Sequence, residues 1–258
     1  MNIGTYQGDN AEIDFVKTFN KNKNLFNSYL SKFKDKNNLW MIRVTTRQPS
    51  ALCSQRVFTR ADCYLGYFDS NIISILNNND FYLSEEILEK NCIFFRKINN
   101  SGISIKMTTS NKFQILKTGP KSFYALFNTY ELGAGASLYC KKEEELVKNP
   151  DVILGWNSTI KKMTSYFSTF TKNDTAFYLN KEVCDAIKKY SNLEIKRLID
   201  NSVELQKKIF NGIGLYEEPY TAHYFYHGKK LDILTTIPFS VTTGSGRSHG
   251  DYTIVLKP

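Results

Sequence analysis

The chain has 258 residues, of which 41% are hydrophobic and 14% aromatic, and it carries a formal charge of +9 with a pI near 9.1. This composition excludes an intrinsically disordered chain, and the length is sufficient to bury a sizeable core. No apolar run approaches the roughly 20 residues of a transmembrane helix, and residues 1–20 lack the apolar segment of a signal peptide. We therefore expect a soluble cytoplasmic protein with no membrane partner.

The charge comes from 34 Lys and Arg residues against 25 Asp and Glu residues. Such an excess favours polyanionic partners, of which nucleic acid is the first candidate. The alternative is a compositional bias, because the chain is rich in both Lys and Asn, as proteins encoded by AT-rich genomes often are. The five cysteines are scattered and include no C-x-x-C pair, so they indicate neither a disulfide framework nor a structural zinc site.

The N-terminal third begins with a helical pattern. Apolar residues at helical spacing predict a helix over 9–19, with Asp9 or Asn10 as its cap and Glu12 in its first turn. A second helix is expected over 25–33 and a strand over 39–44. A polar connection around Pro49 then leads into a short apolar strand that carries Asp62.

An insertion separates Asp62 from the next polar strand position, Ser104. It contains an Asn-rich turn at 77–80 and a helix over 84–90. Residues 99–102 predict a turn, and Pro120 is placed to open a helix that runs to Phe127. Strands are predicted over 92–98, 103–107 and 112–117.

The middle of the chain is predominantly helical, and helices are predicted over 143–147 and 181–207. Past Gly212 the pattern becomes β-rich, with strands expected over 220–226, 231–237 and 252–256. The sequence therefore predicts a mixed α/β fold with a helical middle and a β-rich C-terminal region.

Asp62 and Lys106 are the strongest candidates for catalysis. Hydrolysis of a phosphodiester needs a divalent metal held by oxygen ligands and a polar group that orients the attacking water. Asp62 and the main-chain carbonyl of Ile105 are expected to bind the metal, and Lys106 to face the water. Because side chains alternate along a strand, Ser104 and Lys106 share one face and Ile105 points into the core. The alternative is that Asp62 caps a turn and Lys106 is an ordinary exposed lysine.

The pattern Asp62, then Ser104-Ile105-Lys106, resembles that of the PD-(D/E)XK nucleases. It is most similar to the type II restriction endonucleases, including the small monomeric enzymes that read four-base sites such as GCGC or CCGG. The general motif has an acidic residue where this chain has Ser104, and the small monomeric enzymes have Asn or Gln there. The resemblance implies that Glu12, on an early helix, supplies the missing carboxylate. The alternative is that Glu12 stabilises a helix N-terminus.

The resemblance continues beyond Lys106 and at the C-terminal end of the chain. Residues 106–117 look like the stretch that follows the catalytic strand in these enzymes, and the polar, Gly-rich residues 241–250 are predicted to form a hairpin. Arg pairs bidentately with guanine in the major groove, so such a hairpin suits base reading; the alternative is a solvated loop. The residues expected to contact DNA are Lys112, Gln114, Lys117, Thr242, Thr243, Arg247, Ser248 and His249.

The resemblance implies a nuclease core with a mixed central sheet flanked by helices in residues 1–140. Residues 141–258 are then expected to form a DNA-recognition region packed with the core as one globular unit. The implied activity is Mg²⁺-dependent, sequence-specific cleavage of double-stranded DNA that leaves 5′-phosphates, by a monomer or homodimer. A cognate DNA methyltransferase is expected in the same system without a stable complex. The alternatives are a non-catalytic nucleic-acid-binding protein and a repair or defence nuclease on the same fold.

Overall fold

The computed structural model describes residues 3–45, 48–49, 56–57, 59–69, 72–106, 113–243 and 252–258. None of the helices in these ranges is both long and apolar enough to cross a lipid bilayer. Contacts between Cα atoms divide the chain into two compact units. The first unit comprises Met1–Asn111 and Phe210–Thr236, and the second comprises Lys112–Ile209 and Ile237–Pro258.

The regular elements alternate between short helices and short strands. The α-helices are α1 (Ile3–Lys21), α2 (Asn27–Leu30), α3 (Ile73–Asn78), α4 (Glu85–Lys90), α5 (Pro120–Phe127), α6 (Glu131–Ser137), α7 (Asn149–Gly155), α8 (Ile160–Tyr166), α9 (Ser168–Thr171), α10 (Lys181–Asp200) and α11 (Val203–Gln206). The strands are β1 (Leu39–Arg43), β2 (Gln48–Pro49), β3 (Arg56–Val57), β4 (Cys63–Tyr67), β5 (Arg96–Lys97), β6 (Ile103–Ile105), β7 (Leu116–Thr118), β8 (Tyr224–His227), β9 (Lys230–Ile233), β10 (Ser240–Thr243) and β11 (Ile254–Lys257).

The first unit is built on a mixed sheet in the order β1-β4-β6-β8-β9, with β5 paired to the far end of β4. β4 is antiparallel to both β1 and β6, whereas β6 and β8 run parallel. The mixed α/β class predicted from the sequence is thus confirmed. β2 and β3 form a separate two-stranded ribbon.

Helices cover both faces of this sheet, because its central strands are apolar on both sides. Alternate residues of β4 point to opposite faces: Cys63 and Leu65 pack toward α1 and α2, and Tyr64 packs toward α3 and α4. Phe19 of α1 is fully buried in the first of these layers. Burying such a side chain contributes about 1.5–3 kcal/mol, so the two layers fix the register of the sheet.

Gly102 permits a close backbone approach immediately before β6. A Cβ atom at this position would lie 1.9 Å from the carbonyl oxygen of Thr221. The absence of a side chain therefore lets the segment that leads into β8 pack directly beside β6.

The second unit combines helices with a three-stranded antiparallel sheet in the order β10-β11-β7. The buried side of α10 consists of residues spaced three or four apart, which is the helical period. These residues are Cys184, Ile187, Ser191, Ile195 and Ile199. The small residues of α6 pack closely in this unit, since a Cβ atom on Gly133 would lie 2.3 Å from the Trp156 ring.

Several predicted boundaries near the N-terminus were wrong. Helix α1 begins at Ile3, so neither Asp9 nor Asn10 caps it and Glu12 lies in its interior. The prediction started late because two glycines, Gly4 and Gly8, precede the apolar pattern, and glycine costs about 1 kcal/mol in an isolated helix. The helix predicted over 25–33 is a 3₁₀ turn followed by α2, which ends at Leu30.

Other elements are shorter than predicted. The strand expected over 92–98 is reduced to β5, since Cys92 has a positive φ of 51° and turns the chain. The long helix stops at Asp200 because Ser202 caps α11 through a hydrogen bond from the Leu205 N–H. Strands were also predicted too long over 103–107 and 112–117, where β6 ends at Ile105 and β7 spans Leu116–Thr118.

The C-terminal strands do not form one β-rich region. β8 and β9 extend the sheet of the first unit, whereas β10 and β11 pair with β7 in the second. A strand pattern shows that a segment is extended but not which partner it takes. The expected division of roles between 1–140 and 141–258 stays a prediction.

Candidate functional site

The pairing of β4 with β6 brings Asp62 beside the Ser104-Ile105-Lys106 strand. Asp62 immediately precedes β4, and Cys63 lies opposite Ile103 in the antiparallel pair. The Asp62 N–H donates to the Ile103 carbonyl at 2.9 Å. The β4 ladder therefore ends at the point where the Asp62 side chain turns toward β6.

Three groups of the β6 segment converge on the Asp62 carboxylate. The Ile105 N–H donates to Asp62 Oδ2 at 2.6 Å, and the Ser104 hydroxyl lies 3.4 Å from the same oxygen. Lys106 Nζ is 3.9 Å from Asp62 Oδ2. Both charged side chains are partly exposed, at 26% for Lys106 and 21% for Asp62. A substrate in solution can therefore reach the pair.

The alternation expected along β6 is confirmed. Ser104 and Lys106 both reach Asp62, whereas Ile105 belongs to the apolar core between the sheet and α1. On one side of β6, the Gly102 carbonyl and the Lys106 N–H make hydrogen bonds with β8. On the other side, the Ile103 carbonyl and the Ile105 N–H make hydrogen bonds with Asp62. Because a residue's N–H and C=O point the same way in a strand, the Ile105 carbonyl is directed to the Asp62 side.

Glu12 lies near this site and has an unusual electrostatic environment. Burial raises the pKa of Glu12 to about 7; the nearby charge of Asp62 adds to this rise, and Arg43 opposes it. The alternative role in a helix N-terminus is wrong, since α1 begins at Ile3 and has no acidic residue in its first turn. The structure thus brings Glu12 close enough to Asp62 for their charges to interact.

Arg43 is a part of the site that the sequence did not reveal. It ends β1, lies opposite Cys63, and bonds through Nε to Glu12 Oε2 at 2.7 Å. Its Nη2 contacts Asp9 Oδ1, also at 2.7 Å. An arginine at the end of a predicted strand was the only available signal, and it does not identify the partners.

The donor set suits a hard cation, though it is small. Asp62 and Glu12 offer carboxylate oxygens and Ile105 a main-chain oxygen, and these are the ligand types that Mg²⁺ takes, usually with several waters. Within the described ranges, no group of three His, Cys, Asp or Glu side chains is arranged to hold a metal ion. The charge of Asp62 raises the pKa of Glu12, and a divalent cation held by the two carboxylates would offset that effect.

Half of the residues predicted to contact DNA fall within the described part of the chain. Gln114 is exposed, and Lys117 on β7 is exposed as well. Val255 lies between Thr242 and Lys117 in the register of the small sheet, so these two residues share one face. Thr243 points to the opposite face, with the buried Leu116. The other predicted contacts, Lys112, Arg247, Ser248 and His249, lie outside the described residues.

No protein-family model matches this chain, and no curated protein matches it significantly. The geometry around Asp62 is therefore the evidence on which a functional assignment rests.

Proposed function

We propose that this protein is a Mg²⁺-dependent, sequence-specific endonuclease of the type II restriction class, which hydrolyses double-stranded DNA and leaves 5′-phosphates. The observation that carries this proposal is the convergence of Ser104, the Ile105 N–H and Lys106 on the Asp62 carboxylate. These residues come from two neighbouring segments joined by the pairing of β4 with β6, and the charge of Asp62 acts on Glu12 of α1. The resemblance of the sequence to the PD-(D/E)XK nucleases supports the same assignment.

Each residue has a defined task in this proposal. Mg²⁺ supplies charge neutralisation at the scissile phosphate when it is bound. Asp62 and Glu12 hold it with carboxylate oxygens, and Ile105 contributes its carbonyl oxygen. The Ser104 hydroxyl and the Ile105 N–H hold Asp62 Oδ2 in place.

Lys106 orients the attacking water from the C-terminal end of β6. Its ammonium group donates a hydrogen bond to the water oxygen, which adds to phosphorus as the P–O3′ bond breaks. The water loses one proton and the departing 3′-oxygen gains one, which gives a 5′-phosphate and a 3′-hydroxyl. This role requires the ammonium group of Lys106, which lies 3.9 Å from Asp62 Oδ2.

The basic character of the chain supports binding to DNA. The excess of Lys and Arg over Asp and Glu is larger in the second unit than in the first. We propose that the face of the small sheet that carries Lys117 and Thr242 contacts the DNA backbone. The predicted hairpin over 241–250, which contains Arg247, is proposed to read base edges.

Incubation of the purified protein with a sequenced plasmid and Mg²⁺, followed by mapping of the ends, tests the proposal directly. Discrete fragments with 5′-phosphates at one short sequence are the expected result. Binding without cleavage would instead identify a non-catalytic nucleic-acid-binding protein. Nicking confined to lesions or junctions would identify a repair or defence nuclease.

Matched substitutions on the same sheet distinguish cleavage by this protein from cleavage by a contaminating nuclease. Lys106→Ala is expected to abolish cleavage. Lys230→Ala and Asp232→Ala change exposed residues of β9 and are expected to leave cleavage intact. Equal activity of all three variants would show that a contaminating nuclease cleaves the DNA or that the active site of this protein does not include Lys106.

A further inference from the structure

Arg43 bridges two acidic residues on successive turns of α1. Its guanidinium is 2.7 Å from both Asp9 and Glu12, and its side chain is only 15% exposed. The Glu12 side chain is 22% exposed, so this is a partly buried charge pair rather than a surface one. The stability of such a pair depends on close and well-aligned contacts, and salt screens it only weakly.

The main chain of β1 ties Arg43 to Asp62. Arg43 lies opposite Cys63, and the next N–H along the chain, that of Val44, donates to the Asp62 carbonyl at 3.0 Å. The charges of Asp9 and Asp62 both act on Glu12. We name Asp9, Glu12 and Asp62 the carboxylate cluster; Arg43 is the cation that contacts two of its members.

We propose that Arg43 is the internal counter-ion of the carboxylate cluster, which neutralises the cluster in the metal-free protein and releases Glu12 to the metal ion when one binds. This inference rests on the proposed function, since it concerns the same metal site. Arg43 is a positioning residue, because it acts through Glu12 and keeps its contact with Asp9 throughout. The guanidinium and the metal ion thus compete for the same carboxylate.

The energetic consequence has a definite sign. Removing one partner of a partly buried ion pair leaves the other charge uncompensated, which destabilises the fold. A bound divalent cation can supply the missing positive charge. Loss of Arg43 therefore makes the stability of the protein depend on metal, whereas a purely structural arginine would leave the effect of metal unchanged.

The experiment compares thermal midpoints in EDTA and in millimolar Mg²⁺, without DNA. In EDTA, Arg43→Met is expected to lower Tm by about 5–10 °C. Mg²⁺ is expected to raise the Tm of this variant by about twice the wild-type shift or more, because binding to the folded state alone stabilises it. Arg43→Lys keeps the charge and is expected to retain most of the metal-free stability.

A second variant tests neutralisation directly. Adding Glu12→Gln to Arg43→Met removes the more buried of the two carboxylates that lose Arg43, so the double variant is expected to regain at least half of the lost Tm in EDTA. This test holds even if Arg43→Met alone fails to fold, and a double variant that also fails to fold in EDTA overturns the inference. The matched control is Arg197→Met, which removes an exposed arginine paired with Glu194 at 2.6 Å and is expected to leave the Mg²⁺ shift unchanged.

The outcomes separate this inference from the proposed function. If Mg²⁺ stabilises the wild type through Asp62 but stabilises Arg43→Met no more strongly, the counter-ion role is overturned and the metal site stands. If Mg²⁺ stabilises neither protein, the proposed metal site fails and the inference fails with it. Asp62→Asn identifies the site, since it is expected to remove the Mg²⁺ shift.

Discussion

The two units of this protein use charge in different ways. In the first unit, Arg43, Glu12 and Asp62 come from three separate segments and are each no more than 22% exposed. In the second unit, ion pairs along helices join residues three or four positions apart, and Lys196–Asp200 is an exposed example. Exposed helical pairs contribute about 0.3–0.5 kcal/mol each, so they serve solubility and local helix stability.

Charged residues from distant segments are costly to bury together, and such electrostatically perturbed groups are concentrated at functional sites. The contrast therefore identifies the first unit as the place to look for chemistry. It also gives an internal standard, because each substitution at the site has a counterpart in a helical ion pair of the second unit.

The largest expected effect is on the chemical step. Asp62→Ala and Lys106→Ala are each expected to lower the single-turnover cleavage rate by about 10³-fold or more, a loss of about 4 kcal/mol of transition-state stabilisation. Their counterparts Asp200→Ala and Lys196→Ala break an exposed pair of the second unit and are expected to keep the wild-type rate. A variant at Asp62 or Lys106 that kept more than about a tenth of the rate would contradict the site assignment.

The dependence of cleavage on Mg²⁺ concentration distinguishes the proposed roles of Glu12 and Ser104. Glu12→Gln is expected to raise the Mg²⁺ concentration for half-maximal rate by about tenfold or more, whereas Ser104→Ala changes it by less than about threefold, because a carboxylate is a much better ligand than a hydroxyl. Mg²⁺ titrations of both variants provide the measurement. The reverse order would show that Glu12 does not complete the site.

The stability of the metal-free protein is expected to depend on pH through Glu12. Its pKa of about 7 in the folded protein lies above the ordinary value of 4.5, so the folded state holds this proton more tightly than the unfolded state. The contribution of Glu12 to the free energy of unfolding therefore falls as pH rises from about 4.5 to 7. Relative to the wild type, Glu12→Gln is expected to be about 1–3 kcal/mol more stable at pH 8 than it is at pH 5.

Glu194 in the second unit gives the opposite sign. The hydrogen bond from Arg197 lowers the pKa of Glu194, so the ionised form contributes stability above its ordinary pKa and that stability is lost as pH falls. Glu194→Gln is expected to cost about 0.5 kcal/mol or less at pH 8, since its Arg197 partner is 60% exposed and solvent screens the pair. Denaturant unfolding of Glu12→Gln and Glu194→Gln at several pH values tests both predictions. If the change in the free energy of unfolding had the same pH dependence in both variants, the predicted difference between the two units would be wrong.

A further expected effect concerns DNA binding by the second unit. Lys117→Ala is expected to weaken specific and random duplex nearly equally and to reduce the salt slope by about one unit. Arg247→Ala is expected to weaken the specific site alone, by about 1–3 kcal/mol. Affinities for both duplexes at several salt concentrations decide this. If Arg247→Ala lowered the affinities for the specific and the random duplex in equal proportion, the predicted hairpin would contact the DNA backbone and not the base edges.

Much of the site was predictable because its parts are local. Short apolar runs around Asp62 and Ser104 predicted strands, and the alternation of side chains predicted that Ser104 and Lys106 share a face with Ile105 in the core. The helix Pro120–Phe127 was predicted with its correct bounds, since a proline in the first turn is a local signal. The Mg²⁺ site and the sequence-specific cleavage of DNA stay predictions.

The tertiary structure alone decided which segments meet. The sequence pattern of β8 does not indicate that it inserts parallel to β6, because a strand's pattern of apolar residues reports burial and not its neighbour. For the same reason Arg43 could not be assigned to Asp9 and Glu12: the pairing depends on α1 packing across the end of β1. Periodicity and capping are set within a few residues, whereas the partners of a strand or a buried charge are set by the packing of the whole sheet.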